Sequence, residues 1–75
     1  NTVQDILNLR ITLEENSQFQ LRIFDITGRL LKTTPLDLQN GVNNISVNMS
    51  QFNQGIYHVF LTDGQSGISE KVLKR

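Results

Sequence analysis

Apolar and polar residues alternate along most of this chain, and the period is two. Leu7, Leu9, Ile11 and Leu13 make one face of a segment whose other face is Asn8, Arg10 and Thr12. Phe19, Leu21 and Ile23 alternate with Gln20 and Arg22. Ile45, Val47 and Met49 alternate with Asn44, Ser46 and Asn48. Tyr57, Val59 and Leu61 alternate with Ile56, His58 and Phe60. A period of two belongs to strands that lie with one face on a core, and no segment sustains the 3.6 period of a helix. The pattern predicts strands over Ile6–Leu13, then residues 19–24, 29–34, 44–49, 55–61 and 68–75, with a short edge strand at residues 36–38.

Turn chemistry separates these segments. Asp25-Ile26-Thr27-Gly28 reads as a tight turn, because Asp accepts hydrogen bonds from the backbone just ahead and Gly supplies a left-handed position. Leu31, and Leu30 beside it, are expected to be buried in the strand that follows. Pro35 has no N–H for a ladder, so it either ends that strand or lies on an edge. Asn40-Gly41 is a turn, residues 50–54 form a loop that places Phe52 on the core, and Asp63-Gly64 signals a two-residue hairpin. Many short strands at close spacing with turns between them predict an all-β fold, a sandwich or barrel.

Seventy-five residues make one domain. A chain of this size buries only about 60% of the surface its unfolded form exposes, so losing one large side chain such as Phe19 or Tyr57 is expected to unfold it. Seven basic and seven acidic residues cancel, and no basic stripe stands out, which argues against nucleic acid as a partner. The chain has no cysteine, which removes disulfides, thiolate catalysis and cysteine metal sites. No apolar run is long enough to span a membrane. The opening residues lack both a Met and the pattern of a signal peptide, so we expect a C-terminal domain of a longer protein.

Catalytic chemistry finds little support. His58 is the lone histidine and lies on the strand face opposite Tyr57, as a half-exposed strand residue would. There is no Gly-x-Ser-x-Gly elbow, no Asp-x-Asp-x-Asp calcium loop and no glycine-rich strand-to-helix junction for a phosphate. Neither metal nor cofactor is expected. Asn44-Ile45-Ser46 and Asn48-Met49-Ser50 match a short glycosylation pattern that arises by chance in an Asn-rich chain. Tyr57 is expected in the core with its hydroxyl at the sheet margin. Lys71, Lys74 and Arg75 leave a charged, basic end on an exposed edge strand.

Four blocks then stand out in order: Ile6-Leu7-Asn8-Leu9; Phe24-Asp25-Ile26-Thr27-Gly28-Arg29-Leu30-Leu31; Gly55-Ile56-Tyr57-His58-Val59; and Glu70-Lys71-Val72-Leu73-Lys74-Arg75. Together they resemble the C-terminal sorting domain (type A) of the type IX secretion system, over essentially the whole chain. Thr2 stands where that family commonly has Pro after Asn.

The resemblance implies an immunoglobulin-like antiparallel β-sandwich of about seven short strands, carried at the end of a secreted or surface protein of a Bacteroidetes-type bacterium. It implies a parent that enters the periplasm through an ordinary signal peptide. An outer-membrane translocon then recognises the folded domain, and a sortase-like peptidase removes it as the cargo reaches the surface or the medium. The domain is then an address, not an enzyme. Asp25, Gly28, Gly55 and Tyr57 are expected to hold the fold. Arg29, Lys71, Val72, Leu73, Lys74 and Arg75 are expected to meet the partner, with the terminal strand adding to a partner's sheet or pairing two copies edge to edge. The alternative is a passive immunoglobulin-like or carbohydrate-binding accessory module of an extracellular enzyme, a reading that one Tyr and no Trp do little to favour.

Overall fold

A computed structural model describes residues 2–75; Asn1 lies outside the described residues. The described chain is all strand and turn. The strands are β1 (Thr2–Val3), β2 (Ile6–Leu13), β3 (Ser17–Asp25), β4 (Leu30–Leu38), β5 (Gly41–Asn48), β6 (Gly55–Thr62) and β7 (Gly67–Lys74). A five-stranded sheet runs β1-β7-β6-β3-β4, and β2 pairs with β5 in a second sheet. The chain crosses between the sheets after β1, β2, β4 and β5, as in an immunoglobulin-like sandwich.

The alternating residues meet between the two sheets. Leu7, Leu9, Ile45, Val47 and Met49 come from the small sheet and its margin. Phe19, Leu21, Ile23, Val59 and Leu61 come from the large one. Ile23, Met49 and Leu61 are entirely out of solvent. Fully burying a side chain of this size stabilises by roughly 1.5–3 kcal/mol, and this burial is what holds two separately paired sheets together. Ile11, Leu13, Leu31, Leu36 and Phe52 pack around the rim of that cluster, Phe52 in the loop as expected.

Five local expectations need correction. The chain does not break at Pro35: β4 continues through it to Leu38, with Pro35 opposite Gln20. β4 has β3 on one side only, so of the two placements expected for Pro35 the edge one holds, where an absent N–H is tolerated. Residues 36–38 are therefore part of β4. Leu30 is 50% exposed. The pairing slips between Ile23 and Phe24, so that Ile23 lies opposite Lys32 and Phe24 opposite Leu30. The extra residue is Leu31, which packs on the core while Leu30 stays outside.

The third correction is β1, which the pattern did not predict. Thr2 and Val3 pair parallel with Leu73 and Lys74, and Val3 is buried. The fourth concerns the hairpin between β6 and β7. Thr62 pairs with Gly67, so the connection is four residues long, not two. Asp63 organises it: its Oδ1 accepts from the N–H groups of Gln65 and Ser66, both at 2.8 Å, and its own N–H donates to the Ser66 carbonyl. The last correction concerns the basic end. Its edge is open only in part, because β1 covers Leu73 and Lys74 on the side away from β6 and leaves residues 67–72 uncovered there.

Gly67 closes this hairpin for a reason the sequence alone did not reveal. A Cβ there would run into the main-chain oxygen of Leu61 and lie 2.9 Å from Thr62 Cα. Backbone cannot move aside as a side-chain tip can. Gly67→Ala is expected to cost about 1–3 kcal/mol, as overpacking does. Denaturant unfolding of the variant against the parent checks this; equal midpoints would refute the collision.

Candidate functional site

Three of the sequence blocks converge at one end of the five-stranded sheet. Asp25 at the end of β3 lies opposite Tyr57 of β6, and Tyr57 lies opposite Val72 of β7. Two rows further out, Gly55 faces Lys74, which in turn lies beside Val3 of β1. Residues separated by about thirty and fifteen positions in the chain thus form adjacent rows. The remaining block, Ile6-Leu7-Asn8-Leu9, belongs to the opposite sheet and contributes Leu7 and Leu9 to the core.

The turn from Asp25 to Arg29 is built on one carboxylate. Asp25 Oδ1 accepts from the Thr27 hydroxyl at 2.7 Å and from the N–H groups of Thr27 and Arg29, both at 3.0 Å. Its carbonyl accepts from the Gly28 N–H, and its N–H donates to the Arg29 carbonyl. Gly28 sits at φ +89°, where an L side chain is strained. Arg29 Nε lies 3.2 Å from Asp25 Oδ2, while most of the Arg29 side chain stands in water. An ion pair this exposed contributes little by itself. It does fix where the guanidinium points.

The Thr27 hydroxyl above all, then the Arg29 N–H, holds the Asp25 carboxyl below its ordinary value of 3.8. Asp63 is lowered in the same sense by the N–H groups of Ser66 and Gln65. For a depressed carboxylate the stabilisation is present above the unfolded value and is lost as pH falls through the lower folded value. Stability is therefore expected to decline below about pH 3.8, and the decline should be shallower in the Asp25→Asn, Asp63→Asn double variant. Thermal melts between pH 2 and 6 test this; parallel curves for parent and variant would count against it.

Tyr57 is buried in the row beside Asp25. Its hydroxyl donates to the Asn53 carbonyl at 2.7 Å, and its ring lies 5.4 Å from that of Phe52. This tie from a tyrosine to the backbone a few residues upstream is the tyrosine corner of immunoglobulin-like sandwiches. Gly55, two residues earlier, has φ +153°, a conformation L residues rarely adopt. It starts β6 opposite Lys74, where the loop from residue 50 enters the sheet.

The terminal residues divide by parity. Val72 is fully buried and Lys74 is 8% exposed; Lys71, Leu73 and Arg75 face solvent. Lys74 lays its aliphatic stem along the interior, and its Nζ donates to the main-chain oxygen of Arg75 at 2.9 Å. The Arg75 N–H donates to the Val3 carbonyl, which fastens the end of the chain to β1. Of the six residues expected to meet a partner, Arg29, Lys71, Leu73 and Arg75 are presented to solvent. Val72 and Lys74 are interior.

Sequence reading passed over the outer face of the large sheet. Phe24 and Phe60 stand there edge to face, ring centres 5.4 Å apart. With Arg22, Gly28, His58 and Thr62 they line a hollow of about 530 Å³. The signal was present, since Phe24 and Phe60 fall on the outward parity of their strands.

Among the described residues no group of three His, Cys, Asp or Glu converges as a metal site, and no helix is long and apolar enough to cross a membrane. What the fold and its one organised end define is a small sandwich that presents a surface. A family model, the secretion system C-terminal sorting domain, matches residues 1–75. The chain belongs to that family, the sorting domains of type IX secretion, which is a family of sorting signals and not of enzymes. It is a signal for passage through the cell envelope to the surface or extracellular space, and it acts with the secretion machinery. No curated protein matches the chain, and no solved structure does.

Proposed function

We propose that this domain is the C-terminal unit of a longer secreted protein. In this reading the parent crosses the periplasm, an outer-membrane translocon recognises the folded domain, and a sortase-like peptidase removes it as the cargo emerges. The observation that carries the reading is the convergence of the Asp25, Gly55-Tyr57 and terminal blocks at one end of a sheet. Local turn chemistry alone would not require blocks so distant in sequence to share neighbouring rows. Arg29, Lys71, Leu73 and Arg75 are the recognising side chains. Val72 and Lys74 act by holding the strand that presents them. Strand addition at the terminus is limited to residues 67–72 of β7, since β1 already occupies the edge beyond them.

The test is export of a fluorescent reporter, directed to the periplasm and carrying this domain at its C-terminus, in a type-IX-competent bacterium. Intact reporter should appear outside only when the translocon is present, and its mass should be reduced by the domain if the peptidase acts. Combined Ala substitution of Arg29, Lys71 and Arg75 should retain a folded reporter in the periplasm. A folded parent fusion that stays inside translocon-positive cells would overturn the sorting reading in favour of a passive module.

A further inference from the structure

We infer that the outer face of the five-stranded sheet is a docking surface for a protein segment in which carboxylates flank an apolar side chain. This rests on the sorting reading above and names the chemistry of the partner. Pairing aligns the face in rows. Phe60 has Arg22 on one side and Ser69 on the other; Phe24 and Lys71 flank His58; Ile56 lies beside Leu73. Phe60 and Leu73 remain 40% and 39% exposed, and Leu30 lies exposed beyond Phe24. Large apolar groups gathered on one face of so small a domain mark an interaction surface.

Charge selects the occupant. The outward positions of β3, β6 and β7 between these rows carry Arg22 and Lys71 and no carboxylate. Asp25 is turned into its own loop, and Glu70 falls on the opposite parity. Among the described residues neither Arg22 nor Lys71 has an ionic partner; Arg22 Nη2 donates to Gln20 Oε1 at 2.7 Å. One unpaired cation, Arg22, lines the aromatic-walled hollow, and a second, Lys71, lies beside its His58; together they are complementary to an apolar knob with acidic neighbours. The hollow is walled by two aromatic rings, which suit an apolar side chain set between them. Two cations fall short of the cluster of roughly four to eight Lys or Arg that an anionic lipid surface attracts. A second copy would bring cation against cation.

The reporter fusion tests this with Arg22→Glu combined with Lys71→Glu, with Phe60→Asp, and with Ser69→Glu. Arg10→Glu, on the exposed side of the other sheet, is the matched control. Resistance of the periplasmic fraction to protease establishes folding. Export of the face variants should fall about tenfold or more, since a like charge set against the partner's charge opposes docking. Arg10→Glu should export like the parent. Ser69→Glu removes no packing, so it decides the matter if another variant fails to fold. Parent exported and folded face variants exported equally overturns the docking surface and leaves the sorting role intact. Parent not exported overturns the sorting reading itself. Binding of the purified fusion to phosphatidylglycerol vesicles, abolished by the double charge reversal, would assign the face to lipid and overturn the proposal. So would a dimer in sedimentation equilibrium that the same reversal dissociates.

Discussion

Val72→Asp is expected to unfold this domain, whereas the neighbouring Lys71→Asp is expected to leave it folded. The two positions are adjacent in sequence, yet Val72 has no exposed surface and Lys71 faces water. At Val72 the substitution removes burial worth roughly 1.5–3 kcal/mol. It then places a carboxylate between Tyr57 and the interior with no partner, which adds several kcal/mol more. A domain of this length has about 4–11 kcal/mol of stability in all. Circular dichroism and denaturant unfolding of the two variants check the contrast. A Val72→Asp protein that melts like the parent would mean that β7 does not pack as described. Export of the reporter should fail with both, but for different reasons: Val72→Asp is lost to proteolysis, and Lys71→Asp is retained folded.

The second large effect is that of removing residues 70–75. This deletion takes away the partners of Gly55, Ile56, Tyr57, His58 and Val59 on one side of β6, together with both residues to which β1 is paired. It exposes Tyr57 and Val59 and leaves Val3 without its neighbours. The expected result is loss of the cooperative melt, since buried apolar area and half of a ladder disappear together. Loss of export after such a deletion therefore reports a missing fold as readily as a missing signal. Substitutions at Arg29, Lys71 and Arg75 separate the two, because those side chains lie outside the core. A truncated domain that still melts cooperatively near the parent temperature would overturn the structural account. It would also restore the deletion as a direct test of recognition.

These contrasts turn on a property of strands that sequence shows only in part. Parity along β3, β5 and β6 was legible, because inward Phe19, Leu21, Ile23, Ile45, Val47, Tyr57, Val59 and Leu61 alternate with polar or aromatic outward residues. In β7 the same rule applies to Val72 and Lys74. A lysine, however, reads as solvent-exposed until its stem is seen along the core and its ammonium at the margin. Leu30 and Leu31 misled for the opposite reason. Both are apolar, and only the slip in pairing against β3 decides that Leu31 turns inward. At Pro35 the missing donor is local chemistry, but whether it breaks a strand depends on which neighbour lies beside it. The Asp25 turn was legible because all its hydrogen bonds close within five residues.

By itself, then, the sequence determined the elements and their faces: a period of two, turns at Asp25–Gly28 and Asn40-Gly41, and four ordered blocks that mark a sorting domain. The period and the turns rest on contacts between near neighbours, which spacing records directly; the blocks mark the family by resemblance. The tertiary structure alone decided which strand joins which sheet, that Thr2–Val3 closes over the chain end, and that Asp25, Tyr57 and Val72 stand in one row. It alone set Phe24 against Phe60 beside two unpaired cations. Such pairings join residues tens of positions apart. They form only when two sheets bury their apolar faces together, so the cooperative core, and not any local preference, selects them.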